Sequence, residues 1–350
     1  MDVSYLVLSV LAFFCTRSST QPCIPTFQNH HATVEYGNQR ITGVITGCLF
    51  GNQLPNINGN HFVINIKGQV IPALHRSAVS HIQRSFRLNI IHNKIEAIER
   101  GAFENLPGLQ DLYLDHNHLV TVKPYAFENL PSLEWISLQN NNIDVIWKDT
   151  FVNLPRLNSV YLSHNNLKKF NQDWFVSTPV LDRIVLINNQ IESLPAAAFQ
   201  NLRSITVLAI DDNKLKYIHP EAFHGLSRLD ELSLGGNQLT AFDVNLSHLR
   251  ALYRLGIERN KFTYLPTSAF SQILPTVQEI FVQANPLVCS CADALVVWAS
   301  DNNIKLFWKC ENKDMYCVLP LDYANDCVKR PASDFNSTLF KNFESECVIQ

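Results

Sequence analysis

The sequence has no marked excess of either charge and, beyond its first residues, no long apolar run. Lys and Arg total 28 against 31 Asp and Glu, which gives a formal net charge of −3. A protein that holds nucleic acid or an anionic membrane through charge carries a basic surface, so neither partner is expected. After residue 15, no stretch reaches the roughly 20 apolar residues of a membrane-spanning helix, and no membrane span is predicted.

Motifs of the common catalytic sites are missing as well. The sequence contains no G-x-S-x-G, no H-E-x-x-H, no Walker A loop and no G-x-G-x-x-G. Its Asp, Glu and His residues are spread singly along the chain. We therefore expect a protein that is not an enzyme and that needs no cofactor.

Cysteine is absent from the whole stretch 49–288 and is confined to the two ends of the chain. Such usage indicates an oxidising compartment and disulfide-stapled caps. The C-x-C spacing is not that of a zinc finger, so no metal site is predicted. Two cysteines before the repeats allow one bridge, and six after them allow about fifteen pairings. The first two are Cys23 and Cys48, and the other six are Cys289, Cys291, Cys310, Cys317, Cys327 and Cys347.

The first 20 residues have the pattern of a secretory signal peptide. An apolar run from Val3 to Cys15 is too short for a membrane span, and the small residues Ser18 and Thr20 offer a cleavage site before Gln21. Asp2 departs from the pattern, because a basic residue is usual there. The last residues, SECVIQ, form no hydrophobic tail for a lipid anchor. The sequence predicts a soluble, secreted, extracellular protein that has lost residues 1–20, including Cys15.

The middle of the chain consists of one motif repeated with a period of 24 residues. Nine asparagines are spaced 24 apart six times and then 23 and 25 apart, and a fixed period of this size indicates a solenoid. One further copy precedes them, with Gln69 at the Asn position. The nine are Asn93, Asn117, Asn141, Asn165, Asn189, Asn213, Asn237, Asn260 and Asn285.

Leucines and other apolar residues lie at fixed distances from each Asn, in the pattern L-x-x-L-x-L-x-x-N-x-L of the leucine-rich repeat. The pattern predicts an α/β solenoid, a leucine-rich repeat horseshoe of about ten turns. In each turn a short strand joins a parallel concave sheet. The Asn amide is expected to pair backbone groups between stacked turns. We assign 21–60 to the N-terminal cap, 61–287 to the repeats and 288–350 to the C-terminal cap and tail.

A phenylalanine ten residues after the Asn fills the convex side of most turns. The turn 229–251 is one residue short and has Asn245-Leu246-Ser247 in that place. We expect a local irregularity there without a break in the fold. The phenylalanines are Phe103, Phe127, Phe151, Phe175, Phe199, Phe223 and Phe270.

The segment NPLVCSCADALVVWASDN at 285–302 resembles the cysteine-rich C-terminal cap of extracellular leucine-rich repeat proteins, which opens with N-P-x-x-C-x-C and has a helix packed by a Trp. Asn285, Pro286, Cys289, Cys291 and Trp298 match it. The resemblance implies that the first cap cysteine pairs with the third and the second with the fourth, although this cap has six. The chain as a whole is similar to insect members, including Toll-type ectodomains and the coil-less mosquito leucine-rich immune proteins.

The outward positions of the predicted sheet lie six, four and two residues before each Asn. The early turns carry aromatic rings and Arg there, which are the residue types that dominate interface energies, whereas the later turns carry small and acidic residues. Exposed aromatics in strands can also reflect β-propensity alone. The candidate partner-binding residues are Tyr113, Trp135, Tyr161, Asp111, Asp115 and Arg183.

Three histidines, His92, His116 and His164, directly precede repeat asparagines and fall in one row. Neighbouring strands lie about 4.8 Å apart, so two of them could share a metal or respond to acid pH. The family spelling L-S-H-N places a polar residue there without any such role, and we favour that interpretation. Two sequons, at Asn245 and Asn336, predict exposed glycosylation sites.

These observations favour a secreted recognition protein. It would bind an extracellular protein or a microbial-surface component through its concave face, and the resemblance implies a role in innate immunity. The alternative is an adhesion or matrix protein of developing tissue that acts by self-association. Infection-induced expression would favour the first function, and tissue-restricted expression with homophilic clustering would favour the second.

Overall fold

The computed structural model describes residues 23–55, 61–309, 317–320 and 327–328. These residues form two compact units. The first comprises the described residues up to Asn166 together with Asp173–Leu181, and the second comprises Leu167–Gln172 and the described residues from Asp182 onward. The predicted signal peptide, Cys310, Cys347 and Asn336 lie outside the described residues.

The main sheet of the first unit runs in the order β2-β1-β4-β7-β10-β12-β14. The hairpin β1-β2 is antiparallel, β1 pairs antiparallel with β4, and the strands from β4 to β14 are parallel. The strands are β1 (Phe27–Tyr36), β2 (Gln39–Gly47), β4 (His61–Lys67), β7 (Ser85–Ile91), β10 (Leu109–Tyr113), β12 (Trp135–Ser137) and β14 (Ser159–Tyr161).

Each turn returns from the end of one main-sheet strand to the start of the next, and we call this part of the turn its return segment. Short strands on the return segments also pair in parallel. They form the groups β3-β6-β9, β5-β8 and β11-β13. A 3₁₀ turn at Gly51–Gln53 follows the first of them, and another spans Gln172–Trp174. These strands are β3 (Leu49–Phe50), β5 (Ala73–Leu74), β6 (Val79–Ser80), β8 (Ala97–Ile98), β9 (Phe103–Glu104), β11 (Thr121–Val122) and β13 (Val145–Ile146).

The second unit continues the repeat with a parallel sheet in the order β15-β17-β19-β20-β21-β22, and β16 pairs with β18 on the return segments. Helix α1 (Thr267–Phe270), a 3₁₀ turn at Ser271–Ile273 and helix α2 (Cys289–Asp301) complete it. The strands are β15 (Arg183–Val185), β16 (Ser193–Leu194), β17 (Val207–Ala209), β18 (Tyr217–Ile218), β19 (Glu231–Ser233), β20 (Arg254–Gly256), β21 (Glu279–Phe281) and β22 (Lys305–Phe307).

The repeat asparagines are buried and pair backbone groups of adjacent turns. The Asn117 Nδ2 donates to the carbonyls of Ile90 and Leu114 at 2.8 and 2.9 Å, and its Oδ1 accepts from the backbone N–H groups of Asn93 and Ile95 at 3.0 and 3.2 Å. The same pattern recurs at Asn141 and at later turns. The predicted role of the amide is therefore confirmed, and the repeat fold of about ten turns with it.

The residue before each repeat asparagine has a left-handed backbone, a conformation that Gly, Asn, Asp and His tolerate better than most residues. All ten turns share it, with φ between 52° and 69°. This conformation explains why histidines recur in that position. The ten residues are Gly68, His92, His116, Asn140, His164, Asn188, Asp212, Gly236, Arg259 and Ala284.

The phenylalanines of the return segments are buried in face-to-face stacks. In the first unit, the centroids of the Phe127 and Phe151 rings are 5.5 Å apart, and in the second unit those of Phe199 and Phe223 are 5.9 Å apart. In the short turn 229–251, Leu246 is fully buried and takes the place of the missing ring. The strands on either side stay in register, since Glu231 pairs with Arg254, so the irregularity is local.

Disulfides close both ends of the repeats, as the cysteine pattern predicts. Cys23 bonds to Cys48 in the first cap. In the second cap, Cys289 bonds to Cys317 and Cys291 to Cys327.

The pairing implied by the order of cysteines in the related caps is wrong for this chain, because Cys289 meets the fourth cap cysteine and Cys291 the fifth. The reason is a β-bridge between Val288 and Val318. The backbone N–H of Cys289 donates to the carbonyl of Val318 at 3.1 Å, which places Cys317 beside the start of α2.

Helix α2 covers the last turn, as expected of a C-terminal cap. Its Cys291, Ala292 and Leu295 are buried, and the Trp298 ring lies 5.8 Å from the ring of Phe270. None of the helices within the described residues has the length and apolar character needed to cross a bilayer.

Candidate binding surface

Side chains alternate between the core and the opposite face along each parallel strand, as the period of two in a strand requires. In β10 the side chain of Leu112 is fully buried, whereas Asp111 and Tyr113 on either side of it are half-buried. We call the face that carries Asp111 and Tyr113 the outer sheet face. Parallel pairing in register puts the residues six and four before the Asn of the neighbouring turns of this unit beside Asp111 and Tyr113.

Tyr113, Trp135 and Tyr161 meet on the outer sheet face of the first unit and form what we call the aromatic patch. The rings of Trp135 and Tyr161 stack with centroids 4.3 Å apart, and the ring of Tyr113 lies 6.5 Å from that of Trp135. The register explains the arrangement. Tyr113 and Tyr161 flank Ser137 in one row, and the small serine side chain separates the two rings.

Strand register also brings Arg87 to the patch, a residue outside the predicted partner-binding set. Arg87 pairs with Asp111 across the sheet, and Asp111 pairs with Trp135. The Arg87 guanidinium donates from Nε to Asp111 Oδ2 at 3.0 Å and lies 5.3 Å from the centre of the Tyr113 ring. A cation held over an aromatic face in this way is favourable. Arg87 lies six residues before Asn93, and this outward position is the sequence feature that could have identified it as part of the patch.

Asp115, another predicted site residue, is engaged inside the protein. Its Oδ1 accepts hydrogen bonds from the hydroxyl of Ser137 and, at 2.8 Å, from the backbone N–H of Gln139. Burial raises the pKa of the Asp115 carboxyl, and the Ser137 hydroxyl and the Gln139 N–H oppose that rise. Asp115 therefore supports the strand ends below the patch.

Two further properties distinguish the aromatic patch. Burial raises the pKa of the Tyr113 hydroxyl, against the opposing effect of the Arg87 charge, so Tyr113 stays a neutral donor at physiological pH. The indole Nε1 of Trp135 is buried and has no hydrogen-bond partner among the described residues. Buried donors are rarely left unpaired in native proteins, since each one costs about 1–3 kcal/mol.

The remaining predicted site residue, Arg183, lies in the second unit. It is half-buried on β15, where it pairs in register with Val207. The structure thus brings together Tyr113, Trp135, Tyr161 and Asp111, with Asp115 beneath them.

The histidine row contains one close pair in the first unit. The rings of His92 and His116 are both exposed and stack with centroids 4.2 Å apart and planes 11° from parallel. Among the described residues, this pair does not belong to a group of three His, Cys, Asp or Glu donors close enough to hold a metal.

The outer sheet face of the second unit is ionic and includes basic residues that the sequence pattern did not emphasise. Arg254 lies between Glu231 and Glu279, at 3.6 and 2.8 Å from their carboxylates, and Lys305 lies 3.5 Å from Glu279. Lys305 belongs to β22, beyond the last repeat, which is why the repeat pattern did not include it.

Strands β21 and β22 together carry a second aromatic pair. The rings of Phe281 and Phe307 stack with centroids 4.1 Å apart, and Arg254 and Lys305 lie over them at 5.8 and 4.5 Å. This pair is smaller than the aromatic patch, and its cations are already shared with carboxylates.

Of the two sequons, only Asn245 lies within the described residues. It is half-buried, whereas the sequence pattern predicts an exposed site. Its Nδ2 donates to Glu221 Oε1 at 2.8 Å and its backbone N–H donates to the carbonyl of Pro220 at 3.0 Å. These two bonds hold Asn245 against the preceding turn.

Comparisons with known proteins agree with the repeat assignment. The sequence model of the family described as "Leucine rich repeat" matches residues 86–143, 131–191 and 179–239. No curated protein matches the chain. The fold is a leucine-rich repeat solenoid.

Solved structures with this fold are numerous, since 393 chains match. The chain in the crystal structure of a TLR13–ssRNA13 complex is 22% identical with a TM-score of 0.47, over 57% of this chain and 33% of that one. This chain therefore spans about a third of the length of that TLR13 chain. Human 5T4 (Wnt-activated inhibitory factor 1, trophoblast glycoprotein) is 22% identical with a TM-score of 0.50, over 66% of this chain and 88% of that one. At such identities the similarity shows the fold alone.

Proposed function

We propose that the protein is a secreted recognition protein that binds an extracellular protein or a microbial-surface component through the aromatic patch. Repeat solenoids bind large partners along an extended sheet surface. The absence of catalytic motifs from the sequence leaves binding as the function that such a surface supports.

One observation carries the choice of this surface, namely the cluster of three rings on the outer sheet face, in which Trp135 stacks on Tyr161 and lies 6.5 Å from Tyr113. Tyr, Trp and Arg are the residues that most often dominate the binding energy of an interface, and the guanidinium of Arg87 lies over the ring of Tyr113. The rings are half-buried and already fixed by one another, so little side-chain freedom remains to be lost on binding.

The charges beside the patch favour a protein or glycan partner over a nucleic acid. Asp111 lies beside the rings and Asp115 beneath them, and the cation of Arg87 is paired with Asp111. With a net charge of −3 for the chain, phosphates would meet repulsion at this face. The role in innate immunity rests on the resemblance to insect immune members. Self-association of the protein through the same face would instead indicate the adhesion function.

The experiment is affinity capture from body fluid with the tagged secreted protein, followed by a binding titration of the captured partner against variants. Trp135→Ala and Tyr161→Ala should each weaken binding by over about 2 kcal/mol, the size typical of dominant interface residues. That loss corresponds to at least about a thirtyfold rise in Kd.

The matched control is the double variant Trp147→Ala/Tyr217→Ala, which removes one exposed Trp and one exposed Tyr from the return segments. These side chains are 53% and 55% exposed. Binding by the control should be unchanged. If the Trp135→Ala/Tyr161→Ala protein binds as tightly as the unaltered protein and melts at the same temperature, the site lies elsewhere. Capture of RNA in a salt-dependent manner would also contradict the proposal.

A further inference from the structure

Three side chains of the second unit converge on one point of the return segments, far along the chain from the aromatic patch. His224 Nδ1 and His248 Nε2 are 3.3 Å apart, and the Oε2 of Glu221 lies 3.6 Å from the first and 3.4 Å from the second. Among the described residues, these are the only three His, Cys, Asp or Glu donors so close to one another.

Backbone hydrogen bonds fix the two segments that carry these donors. The N–H of His224 donates to the carbonyl of Glu221 at 3.3 Å, which forms a turn and places both side chains on one side of it. The N–H of Asn245 donates to Pro220 at 3.0 Å, which aligns the next turn. His248 then lies one repeat beyond His224, with the two ring centroids 4.4 Å apart.

The two oxygens of Glu221 have different neighbours. Oε1 accepts a hydrogen bond from Asn245 Nδ2 at 2.8 Å, whereas Oε2 faces the two imidazoles. A further bond orients the residue, since the Glu221 N–H donates to His219 Nδ1 at 3.1 Å. A carboxylate with one oxygen held by a neighbouring amide and the other directed at two histidines has the arrangement of an oriented metal ligand.

The three separations match the edges of a metal coordination tetrahedron. Bonds of about 2.0–2.2 Å from a zinc ion to nitrogen and oxygen at tetrahedral angles put the donor atoms about 3.3–3.6 Å apart. A single shared proton can join only two of the three atoms well. A cation at the centre satisfies all three lone pairs together.

We infer that Glu221, His224 and His248 form a binding site for one divalent transition-metal ion of the zinc type, with Glu221 Oε2, His224 Nδ1 and His248 Nε2 as its ligands. Neutral imidazole and carboxylate are the donors that zinc accepts alongside thiolate. The side chains are between 35% and 49% exposed, so the fourth position of the ion opens to solvent and is available to a water molecule or to a donor from another molecule.

Asn245 links this site to glycosylation. Its Nδ2, which donates to Glu221, is also the atom that an N-linked glycan would occupy in the sequon Asn245-Leu246-Ser247. The hydroxyl of Ser247 donates to Asn245 Oδ1 at 2.6 Å. Ser247→Ala removes this sequon and leaves all three metal ligands and the Asn245 amide in place, so it gives a protein without a glycan at Asn245 and with the site intact.

The test is a zinc titration of the full chain after treatment with a chelator, followed by isothermal calorimetry and by metal analysis after dialysis. The unaltered protein and Ser247→Ala should each bind one zinc ion at this site. His224→Ala and Glu221→Gln should weaken binding by more than about a hundredfold, because even residues outside the coordination sphere commonly change metal affinity ten- to hundredfold. Cobalt in place of zinc should show the visible absorption of a four-coordinate ion, and His224→Ala should abolish it.

The matched control is His92→Ala/His116→Ala, which removes a pair of stacked imidazoles for which the described residues supply no third donor. This variant should bind zinc like the unaltered protein. The inference is overturned if the unaltered protein and Ser247→Ala bind no zinc, since the three side chains are then only an ion-pair network. It is overturned equally if His224→Ala/His248→Ala retains the full affinity, or if the control alone loses the metal. Circular dichroism of each metal-free variant checks that its fold is intact.

Discussion

The buried asparagine of each turn replaces hydrogen bonds that a bend between stacked strands would otherwise leave unmade. Asn117 is 3% exposed and pairs donors and acceptors of two adjacent turns. Its amide works as a backbone group would, and an alanine cannot take over any of those bonds.

Asn117→Ala should therefore lower the free energy of unfolding by about 2–4 kcal/mol, because several buried backbone groups lose their partners together. Urea unfolding followed by circular dichroism measures the change. His118→Ala removes an exposed side chain from the same turn and should stay within about 0.5 kcal/mol of the unaltered protein. Equal stabilities for the two variants would contradict the role assigned to the amide.

Asp211 and Glu258 place two half- to fully buried carboxyls above Gly235 in the second unit. A side chain at Gly235 would begin 2.6 Å from Glu258 Oε1 and 3.0 Å from Asp211 Oδ1, so only glycine leaves them room. Burial raises the pKa of both carboxyls; at Glu258 the charge of Asp211 adds to the rise, and at Asp211 hydrogen bonds from Ser233 and Gly235 oppose it.

A raised pKa in the folded state means that the folded state holds the proton more tightly than the unfolded one. Stability is then lost as the pH rises from the ordinary aspartate range through the folded pKa, and the cost is complete at neutral pH. Asp211→Asn removes the charge but keeps an acceptor for Ser233 and Gly235. We expect it to raise the free energy of unfolding at pH 7 by about 0.5–2 kcal/mol, as optimised charges commonly do, with a smaller gain at pH 4.

Thermal unfolding at both pH values measures this effect, and the next residue supplies the control. Asp212 pairs with Arg259 through two hydrogen bonds of 2.8 and 3.3 Å. Asp212→Asn weakens that pair and should give no gain at pH 7. A loss of stability in Asp211→Asn at neutral pH would show that its carboxylate is stabilising.

Among the elements, the first cap is a hairpin joined to the repeats by the antiparallel pairing of β1 with β4. Cys48 is fully buried, and its disulfide to Cys23 holds the start of β1 against the end of β2. The hydroxyl of Thr26 accepts from the backbone N–H of His75 at 3.1 Å, which joins the hairpin to the first turn. Each turn of a solenoid contacts only its neighbours, so damage to this cap should remain near it.

Cys23→Ala/Cys48→Ala should cost about 2–5 kcal/mol, the usual loss for a native bridge in a secreted domain, and the loss should be local. Hydrogen exchange measures it, since amides of β1 and β2 should lose protection while those of α2 keep theirs. The matched variant Cys291→Ala/Cys327→Ala should reverse that distribution. Unchanged protection of β1 and β2 in the first variant would mean that the hairpin holds without its disulfide.

Strand pairing explains how far the aromatic patch was predictable. Tyr113, Trp135 and Tyr161 have the same parity in three successive strands, and a strict period of two puts them on one face. Arg87 has that parity too, but its importance comes from its register with Asp111, which depends on the pairing of β7 with β10. Phe307 and Lys305 belong to a strand outside the repeat pattern, so no repeat position marked them.

Over the molecule as a whole, the sequence alone predicts the features that depend only on the geometry of a single turn. Inward Leu positions, the buried Asn, the left-handed residue before it and the outward positions recur because each turn has the same local geometry. The period of 24 residues reflects that shared geometry. The repeat fold and the two faces of its strands could therefore be predicted from the sequence.

Only the tertiary structure decided the contacts that form between separate turns and within the caps. The β-bridge between Val288 and Val318 brings Cys317 beside Cys289, whereas the six cysteines of this cap allow many pairings in the sequence. A short turn stacks on its neighbour and so brings together Glu221, His224 and His248. The spacing of residues within a single turn does not predict this contact. Local periodicity fixes which way a side chain points, whereas the approach of separate segments depends on the packing of every residue between them.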